Sequence, residues 1–581
     1  MSTWKFGEPI LFLGKWCLRE QDKSKWENLK MEIADPIGSD FHDRFFLQKE
    51  ARRIEREVFP AIVSILNDFH NINRDERYWK IILGHWLRDI VQLLLNRVVT
   101  LKRCIDKYQI SSVTLNFQPD FVLAPKEYGD IWVISNDNYW NDHLVAKILE
   151  RLQVQSIEIE YVTNKIEKMQ VEVFPASSKN RIFMNPRKLT DKAARSIASI
   201  FSRSREAFVI NSYLPPEKEL LLNFSLCQFP QRRITPKYNV TASVDKDIRE
   251  ILSKKIQPET DLSLEGIITS FLFELIPVCY LEGFKALLKD SELAPWPRKP
   301  KFIFTSLNFK ADELFKIWVA EKVHKGTPYI VGQHGMGYGN HKFYQSSIEE
   351  TTSDKFLTWG WTRELPQHTP AFVFKNSSNS KVRNLKRAGL LLIETTPHPR
   401  IEVWEQADEF EKYMEDQFRF VSKINDQIRD ELVVRLHPGY AINSGEGDLR
   451  WSNYDQAIKL DLGHIPIRKL WLTNRLIVHS YDSTGLLETL EADRPTIAFW
   501  QDGLNHLVDE AIPYYKRLIS AGIVHLSPES AAAKVNEVWE NVDEWWVSYE
   551  VQNARRMFCE EYARSSSKPI RDLRKLLLEG I

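Results

Sequence analysis

The chain has 581 residues, which is too long for one core of ordinary size, so we expect two large domains. Lysine plus arginine and aspartate plus glutamate both number 79, and this zero net charge gives no sign of general binding to nucleic acid. The five cysteines are scattered without a CxxC pair, which argues against a disulfide framework or a zinc site and favours a reducing cytoplasm.

The first hundred residues predict one strand followed by long helices. Pro9–Cys17 is an apolar run with a glycine near its end, which predicts the first strand and turn of a Rossmann-like sheet. We expect no secretory signal before it and no membrane-spanning segment, because the chain begins without a basic region and a long apolar run. In the helical segment that follows, His85 and Asp89 lie four residues apart beside an apolar stripe. They either activate an acceptor hydroxyl or form a hydrogen-bonded pair on the helix surface.

A dense polar and aromatic stretch follows the next predicted strand. Ile131–Ser135 predicts a strand, and residues 136–143 after it include Asp137, two asparagines before Trp140, and a histidine. This stretch is either an acceptor site or a capped loop, because Asn and Asp also favour turns and helix caps. Asp245-Lys246-Asp247 resembles a metal-binding DxD motif, but acids at the start of the following helix explain it more simply, so we expect no metal.

Regular α/β alternation begins near residue 302. We predict a strand over Phe302–Thr305, a loop that contains Asn308, a helix over Asp312–Lys322 and a strand over Tyr329–Val331. The turn Gln333-His334-Gly335 follows, with further glycines that allow the backbone to approach a ligand closely. We expect Asn308, Gln333 and Gly335 to line a cleft. His334 is either part of that site or a structural hydrogen-bond partner.

The composition then predicts a linker and a second domain. Residues 366–387 are rich in Pro, Ser, Asn and Lys, which is typical of an exposed linker. We therefore predict a first domain over residues 1–375 with helical insertions, a linker over 376–388 and a second domain over 389–581. A strand at Gly389–Ile393 and a helix from about Val403 to Asp430 open the second domain, and the alternation predicts a doubly wound parallel sheet.

Two phrases of the second domain predict a phosphate pocket. The apolar run after Glu431 ends in His437-Pro438-Gly439, and Leu476–Val478 leads to Tyr481-Asp482-Ser483-Thr484-Gly485 at the start of a helix. Ser483 or Thr484 is a natural helix cap. A helix start offers N–H groups and positive potential, and a hydroxyl and an imidazole beside it suit a phosphate, so we predict a nucleotide-sugar pocket.

These motifs carry a family resemblance. The QHG turn, the HP after a strand and the S/T pair at a helix start resemble GT-B glycosyltransferases that use CMP- or CDP-activated donors, such as capsule Kdo transferases, bacterial sialyltransferases and polyglycerophosphate polymerases. The phrases FLGKWC, PKFIFTSLNFKADELFKIWVAEKVHKGTPYIVGQHGMGYG and STGLLETLEADRPTIAFW are similar to a family of transferases from bacterial surface-polysaccharide gene clusters, first named from a spirochaete. The resemblance spans nearly the whole chain and implies an α/β, GT-B-like fold in which two Rossmann-like doubly wound domains face a cleft.

The resemblance also implies roles for residues. His437, Ser483 and Thr484 would hold the donor phosphate, and Thr395 and Thr396 would close the same pocket. Glu488 either reaches the ribose hydroxyls or is a solvent-facing helix glutamate. Asp482 puts a negative charge beside the phosphate site, and it either points away or orients His437 or His479.

The expected activity is glycosyl transfer without a cofactor. His334, Asp137 and Asp89, in that order, are candidates for the base that takes the acceptor proton. We expect a CMP-activated acidic sugar of the Kdo or nonulosonic type as donor and a glycan or lipid-linked glycan as acceptor. The alternatives are a CDP-donor polyol-phosphate transferase and a non-catalytic binding protein of a polysaccharide assembly complex. The basic tail with Leu573, Leu576 and Leu577 is either a surface helix or a peripheral contact with the inner membrane.

Overall fold

The computed structural model describes residues 3–5, 7–154, 156–162, 206–256, 261–363, 365–375, 389–397, 399–439 and 446–580. The predicted linker 376–388 lies outside the described residues. The strands are β1 Ile10–Phe12, β2 Met31–Ile33, β3 Ser112–Asn116, β4 Glu158–Val162, β5 Phe208–Val209, β6 Ile303–Thr305, β7 Tyr329–Gly332, β8 Lys355–Thr358, β9 His368–Pro370, β10 Leu390–Ile393, β11 Leu432–Arg435, β12 Lys459–Asp461, β13 Leu476–His479, β14 Thr496–Phe499 and β15 Val524–His525. The α-helices span Lys23–Trp26, Phe41–His70, Glu76–Lys107, Ile131–Ile134, Asn138–Arg151, Pro216–Ser225, Lys246–Ile256, Leu264–Ser270, Leu272–Leu275, Phe284–Leu293, Glu313–His324, Ile348–Thr352, Gln406–Lys423, Asp426–Arg429, Gly447–Tyr454, Ile467–Thr473, Thr484–Glu491, Ile512–Ser520, Pro528–Val538, Val542–Val547, Tyr549–Tyr562 and Pro569–Leu578.

Two long helices, Phe41–His70 and Glu76–Lys107, form most of the N-terminal part. Each begins at an aspartate, Asp40 or Asp75, whose side chain accepts a backbone N–H of the first turn. Asn71 ends the first helix in a left-handed conformation at φ 55°. The second helix is buried along most of its apolar positions and packs against the helix Glu313–His324. The predicted helical segment is therefore two antiparallel neighbours joined by a short turn.

The first large sheet has five parallel strands in the order β5-β6-β7-β8-β9. The strands β6 and β7 are buried along their whole length, as the central strands of a parallel sheet covered by helices require. Among the described strands the order is sequential. The early strands stay apart from it, because β1 pairs only with β2 and β3 only with β4. The expectation that the run Pro9–Cys17 begins the Rossmann-like sheet is therefore wrong for the described strands.

The second large sheet has six parallel strands in the order β12-β11-β10-β13-β14-β15. Numbered along the chain, this is the Rossmann order 3-2-1-4-5-6. The order reverses between β10 and β13, where Leu392 lies beside Val478 and Ile393 beside His479. In such sheets a ligand binds outside the carboxyl ends of the strands at this switch point. The two parallel sheets with flanking helices confirm the expected α/β fold.

Two further sequence predictions can be compared directly with the structure. Ile131–Ile134 is a short helix rather than a strand, because an apolar run of four residues does not distinguish the two and the chain continues into the helix Asn138–Arg151. The second prediction is confirmed, since Asp245 accepts the backbone N–H of Ile248 at 3.0 Å and so begins a helix. Within the described ranges, no helix has the length and apolar character needed to cross a membrane.

The last helix, Pro569–Leu578, returns to the first large sheet. Leu573 and Leu577 are fully buried in a cluster with Phe304 and Leu357 of that sheet. The ammonium of Lys355 also donates to the backbone carbonyl of Leu576 in this helix, at 3.2 Å. The predicted surface helix thus has its apolar side covered by the protein itself.

Candidate active site

The carboxyl edge of the second sheet is braced by a chain of hydroxyl groups. The backbone N–H of Thr395, just after β10, donates to the Tyr413 hydroxyl at 2.9 Å. The Tyr413 and Ser480 hydroxyls lie 2.6 Å apart, and the Ser480 hydroxyl donates to the carbonyl of Ile393 at 3.0 Å. Since the Ser480 proton goes to that carbonyl, Tyr413 is the donor to Ser480. The chain ties the loop after β10 to the loop after β13 across the switch point.

Thr396 contributes an unsatisfied hydroxyl to this edge. The residue is 5% exposed, and its Oγ1 has no hydrogen-bond partner among the described residues. A buried hydroxyl without a partner costs about 1–3 kcal/mol, so a hydrogen bond to a bound ligand would be favourable here. Its place beside the switch point agrees with the predicted donor pocket.

Glu394, the first residue after β10, is buried and uncharged at neutral pH. Its carboxyl accepts the indole N–H of Trp451 at 3.0 Å, and burial raises its pKa to about 8. Nothing in the local sequence singles out this glutamate, because its raised pKa comes from burial in the folded protein.

The helix Thr484–Glu491 begins at Ser483, as predicted. The Ser483 hydroxyl accepts the N–H of Leu486 at 3.0 Å and lies 3.3 Å from Nδ1 of His479. His479 in turn has its Nε2 3.1 Å from the Thr489 hydroxyl, which donates to the carbonyl of Leu486. Nε2 therefore carries the imidazole hydrogen, and Nδ1 accepts the Ser483 proton. Ser483 thus fixes the helix start, and its hydroxyl is fully committed.

Thr484 is one of the points at which loops of the two large sheets meet. Its Oγ1 accepts the backbone N–H of Met336 at 3.0 Å. A Cβ on Gly335 would lie only 3.0 Å from the same oxygen, so a larger residue there would crowd this contact. Because Oγ1 is the acceptor here, its own proton is available to a phosphate oxygen. The structure therefore brings together the predicted QHG turn and the predicted S/T turn.

Gln333 braces the QHG turn from inside. Its amide N–H donates to the carbonyl of Gly335 at 2.8 Å, and its Oε1 accepts the backbone N–H of Trp359 and the indole N–H of Trp361, each at 2.8 Å. Every hydrogen-bonding atom of this buried amide is thus occupied by protein. Its predicted place in the cleft is consequently that of a positioning residue.

His437 lies on an exposed turn at the end of β11, as predicted, and its Nδ1 accepts the N–H of Gly439 at 3.0 Å. Since β10 separates β11 from β13, the ends of the two strands are about 10 Å apart. That gap suits a phosphate group placed over the end of β10. Glu488 is 2% exposed and binds the ammonium of Lys375 at 2.6 Å, so it is not a solvent-facing glutamate.

The Asp482 carboxylate binds histidines other than His437 and His479. Its carboxylate accepts Nε2–H of His341 and of His506, each at 3.1 Å, and the Tyr515 hydroxyl at 2.9 Å. Despite burial, the histidine hydrogen bonds hold the pKa of Asp482 well below its usual range. The negative charge of Asp482 beside the predicted phosphate site is thus held by His341, His506 and Tyr515.

On the side of the first large sheet, His334 is held by Tyr338 and, through Tyr338, by Glu349. Its Nδ1 lies 3.2 Å from the Tyr338 hydroxyl, and that hydroxyl donates to the carboxylate of Glu349. The Tyr338 proton is therefore used, so Nδ1 of His334 carries hydrogen and Nε2 is the basic nitrogen. Burial lowers the pKa of His334 to about 4, which keeps the imidazole neutral at neutral pH.

His334 also lines a cavity of about 490 Å³ beside the first sheet. Asn308, predicted to line the cleft, lies in its wall and donates to the carboxylate of Asp312. Asp312 caps the helix Glu313–His324, and burial raises its pKa to about 6. Burial also raises the pKa of Glu127, in the same wall, to about 7. These two carboxyls were missed because the sequence shows them as a helix cap and a loop residue.

The other two base candidates have structural partners. Asp89 accepts the Tyr128 hydroxyl at 2.6 Å. Asp137 caps the helix Asn138–Arg151 by accepting the N–H of Trp140 at 2.7 Å, which matches the capped-loop alternative. Its neighbour Asn136 accepts the backbone N–H of Arg400 at 3.0 Å, so this loop does reach the second half of the chain.

Comparison with known proteins gives a family and distant structural similarities. A family model described as LIC12162 family transferase matches residues 1–577. No curated protein matches the chain. Solved structures with partial similarity, each 11% identical, include S. aureus MnaA with UDP (65% of this chain, 97% of that chain, TM-score 0.35), the wall teichoic acid polymerase TagF (68% and 95%, 0.32) and Acinetobacter baumannii MurG (51% and 78%, 0.29). Scores this low support no conclusion about activity. The family match confirms the expected transferase class and covers nearly the whole chain, which therefore belongs to the LIC12162 family of transferases.

Proposed function

We propose that this transferase is a GT-B-like glycosyltransferase that moves an acidic sugar, of the Kdo or nonulosonic type, from a CMP-activated donor to a surface-glycan acceptor. The observation that carries the proposal is the contact between Thr484, at the start of a helix on the Rossmann switch point, and Met336 in the loop that holds His334. A phosphate-binding element and a candidate base thus lie on opposite sides of one contact. The CMP donor rests on the resemblance of the sequence motifs.

The donor phosphate would bind over the end of β10. There the helix start, the Thr484 proton and the His437 imidazole would stabilise the charge that grows on the leaving phosphate. The unpartnered hydroxyl of Thr396 would gain a hydrogen bond from the same ligand. Glu488 lies one helical turn beyond Thr484 and pairs with Lys375, and from there it would receive the ribose hydroxyls.

The acceptor would occupy the 490 Å³ cavity, and His334 would take its proton at Nε2. Glu349, which receives the Tyr338 proton, would stabilise the imidazolium through Tyr338, as the third member of a base-orienting chain does. Asp312 is the second candidate, because a carboxyl with a pKa of about 6 is close to balance at neutral pH.

The same proposal includes the division into residues 1–375, 376–388 and 389–581, a cytoplasmic location, and contact with the inner membrane through the basic side of the last helix. That helix belongs in sequence to the second unit, but its leucines pack on the first sheet. A membrane contact would therefore use Arg571 and Arg574 rather than the buried leucines.

Calorimetry with CMP, CDP and UDP tests the donor. We expect CMP to bind, and His437→Ala to weaken it by about 10-fold or more, the usual loss for a hydrogen bond to a charged group. His42→Ala, which removes an exposed imidazole at the start of the helix Phe41–His70, is the matched control. Preference for CDP would favour the polyol-phosphate transferase, and binding of none of the three would favour the non-catalytic alternative. Unchanged CMP affinity in His437→Ala would show that the pocket lies elsewhere.

A further inference from the structure

Two histidines from separate loops meet one carboxylate oxygen just before the helix Thr484–Glu491. Nε2 of His341, in the loop after β7, and Nε2 of His506, in the loop after β14, each lie 3.1 Å from Oδ2 of Asp482. The side chains are 12%, 21% and 6% exposed for His341, His506 and Asp482, so all three are largely shielded from solvent. In the described part of the chain, this is the one group of three such side chains whose ligand atoms lie within 4.8 Å of one another.

The spacing of these atoms matches the edges of a coordination polyhedron. With metal–ligand distances near 2.0–2.1 Å, neighbouring ligands of a tetrahedral zinc ion lie about 3.3 Å apart. The two measured separations of 3.1 Å differ from that edge by a few tenths of an ångström. The imidazole rings are 4.7 Å apart between centroids and nearly perpendicular, so their faces do not block each other.

A second layer of groups fixes the carboxylate. The Tyr515 hydroxyl donates to Asp482 at 2.9 Å and accepts the amide N–H of Asn340 at 2.9 Å. Metal ligands are commonly oriented by such outer hydrogen bonds. Asn340 is itself 1% exposed, so this support lies inside the protein.

We propose that His341, Asp482 and His506 bind one divalent transition-metal ion of the zinc class. Two imidazoles and one carboxylate are a donor set for zinc or a similar ion, and the nitrogen ligands disfavour magnesium and calcium. The ion replaces the two His–Asp hydrogen bonds and joins a loop of the first large sheet to two loops of the second. Asp482 directly precedes Ser483, so the ion adds positive charge next to the start of the helix Thr484–Glu491. This revises the expectation of a site without metal, which was based on the absence of cysteine pairs and of a convincing DxD motif.

Zinc titration of the chelator-treated full chain, in competition with a chromophoric chelator and without nucleotide, tests the site. We expect one equivalent of zinc per chain. His506→Ala and Asp482→Asn should each weaken binding by more than about 100-fold, beyond the 10–100-fold typical of outer-layer changes, and Tyr515→Phe should fall within that 10–100-fold range. His42→Ala should bind as the wild type does.

Cobalt substitution gives an independent measurement, since cobalt held by nitrogen ligands absorbs visible light. The absorption should appear in the wild type and in His42→Ala and be lost in His506→Ala. If Asp482→Asn does not fold, His506→Ala carries the test, because this imidazole is the most exposed of the three. No zinc bound by the wild type, or zinc bound equally by His506→Ala, would overturn the proposal. Because no nucleotide is present, neither outcome bears on the donor assignment.

Discussion

Replacing Glu394 with glutamine should change how the stability of the second sheet depends on pH. The folded-state pKa is about 8 and the ordinary value is 4.5, so the folded protein binds a proton that the unfolded chain releases between these values. A raised pKa stabilises the fold fully below about pH 4.5, and this contribution is lost as pH rises towards about 8. Each pH unit costs about 1.4 kcal/mol, so the loss reaches about 3 kcal/mol at pH 7 and about 5 kcal/mol above pH 8.

Glu394→Gln keeps an oxygen for the indole N–H of Trp451 but does not titrate. The free energy of unfolding of both proteins is measured in urea at several pH values from about 5 to 8. The value for the variant is then compared with that for the wild type at each pH. We expect the variant to gain on the wild type by about 1.4 kcal/mol for each unit of rising pH. Glu411→Gln, which removes a partly exposed partner of Arg450, is a control for loss of a carboxylate. A difference between Glu394→Gln and wild type that stays constant over this range would refute the reasoning.

Two further predictions concern the base and the last helix. Tyr338→Phe removes the hydroxyl between His334 and Glu349, so kcat should fall and the acid limb of the kcat–pH profile should shift while KM changes little. Wild-type kcat in this variant would remove His334 from the base position. Leu577→Ala should lower the free energy of unfolding by about 2–5 kcal/mol, because the side chain is fully buried in the core of the first sheet. A loss under about 0.5 kcal/mol, as surface changes give, would contradict that packing.

The strands that build the site could be predicted from local patterns. The apolar runs that become β6, β7, β10 and β13 end within about two residues of the predicted positions, since each stops at a polar, glycine or histidine residue where the backbone leaves the sheet. The helix start at Ser483 was predicted for the same reason, because a hydroxyl before a periodic apolar pattern is a local signal.

Groups defined by distant partners could not be predicted. Asp482 meets His341 across 141 positions and His506 across 24, and no local pattern indicates either contact. The raised pKa of Glu394 comes from burial in the assembled fold, where its hydrogen-bond partner is an indole 57 positions away. The acceptor side of the site was the least predictable part, because Asp312 and Glu127 acquire their raised pKa values only from burial in the assembled cavity.

The position of the helix Pro569–Leu578 has a consequence for synthesis on the ribosome. Arg574 donates to the carbonyl of Ser225, 349 positions earlier, and the neighbouring leucines complete the core above β6 and β8. Domains generally fold as they emerge, starting from the N-terminal side. Here the core of the five-stranded sheet cannot be completed until the six-stranded sheet has been synthesised. The apolar surface of β6 and β8 therefore stays exposed on the nascent chain until late in translation. Premature termination after residue 565 should therefore yield a protein that aggregates through its first half, although every residue of that half is present.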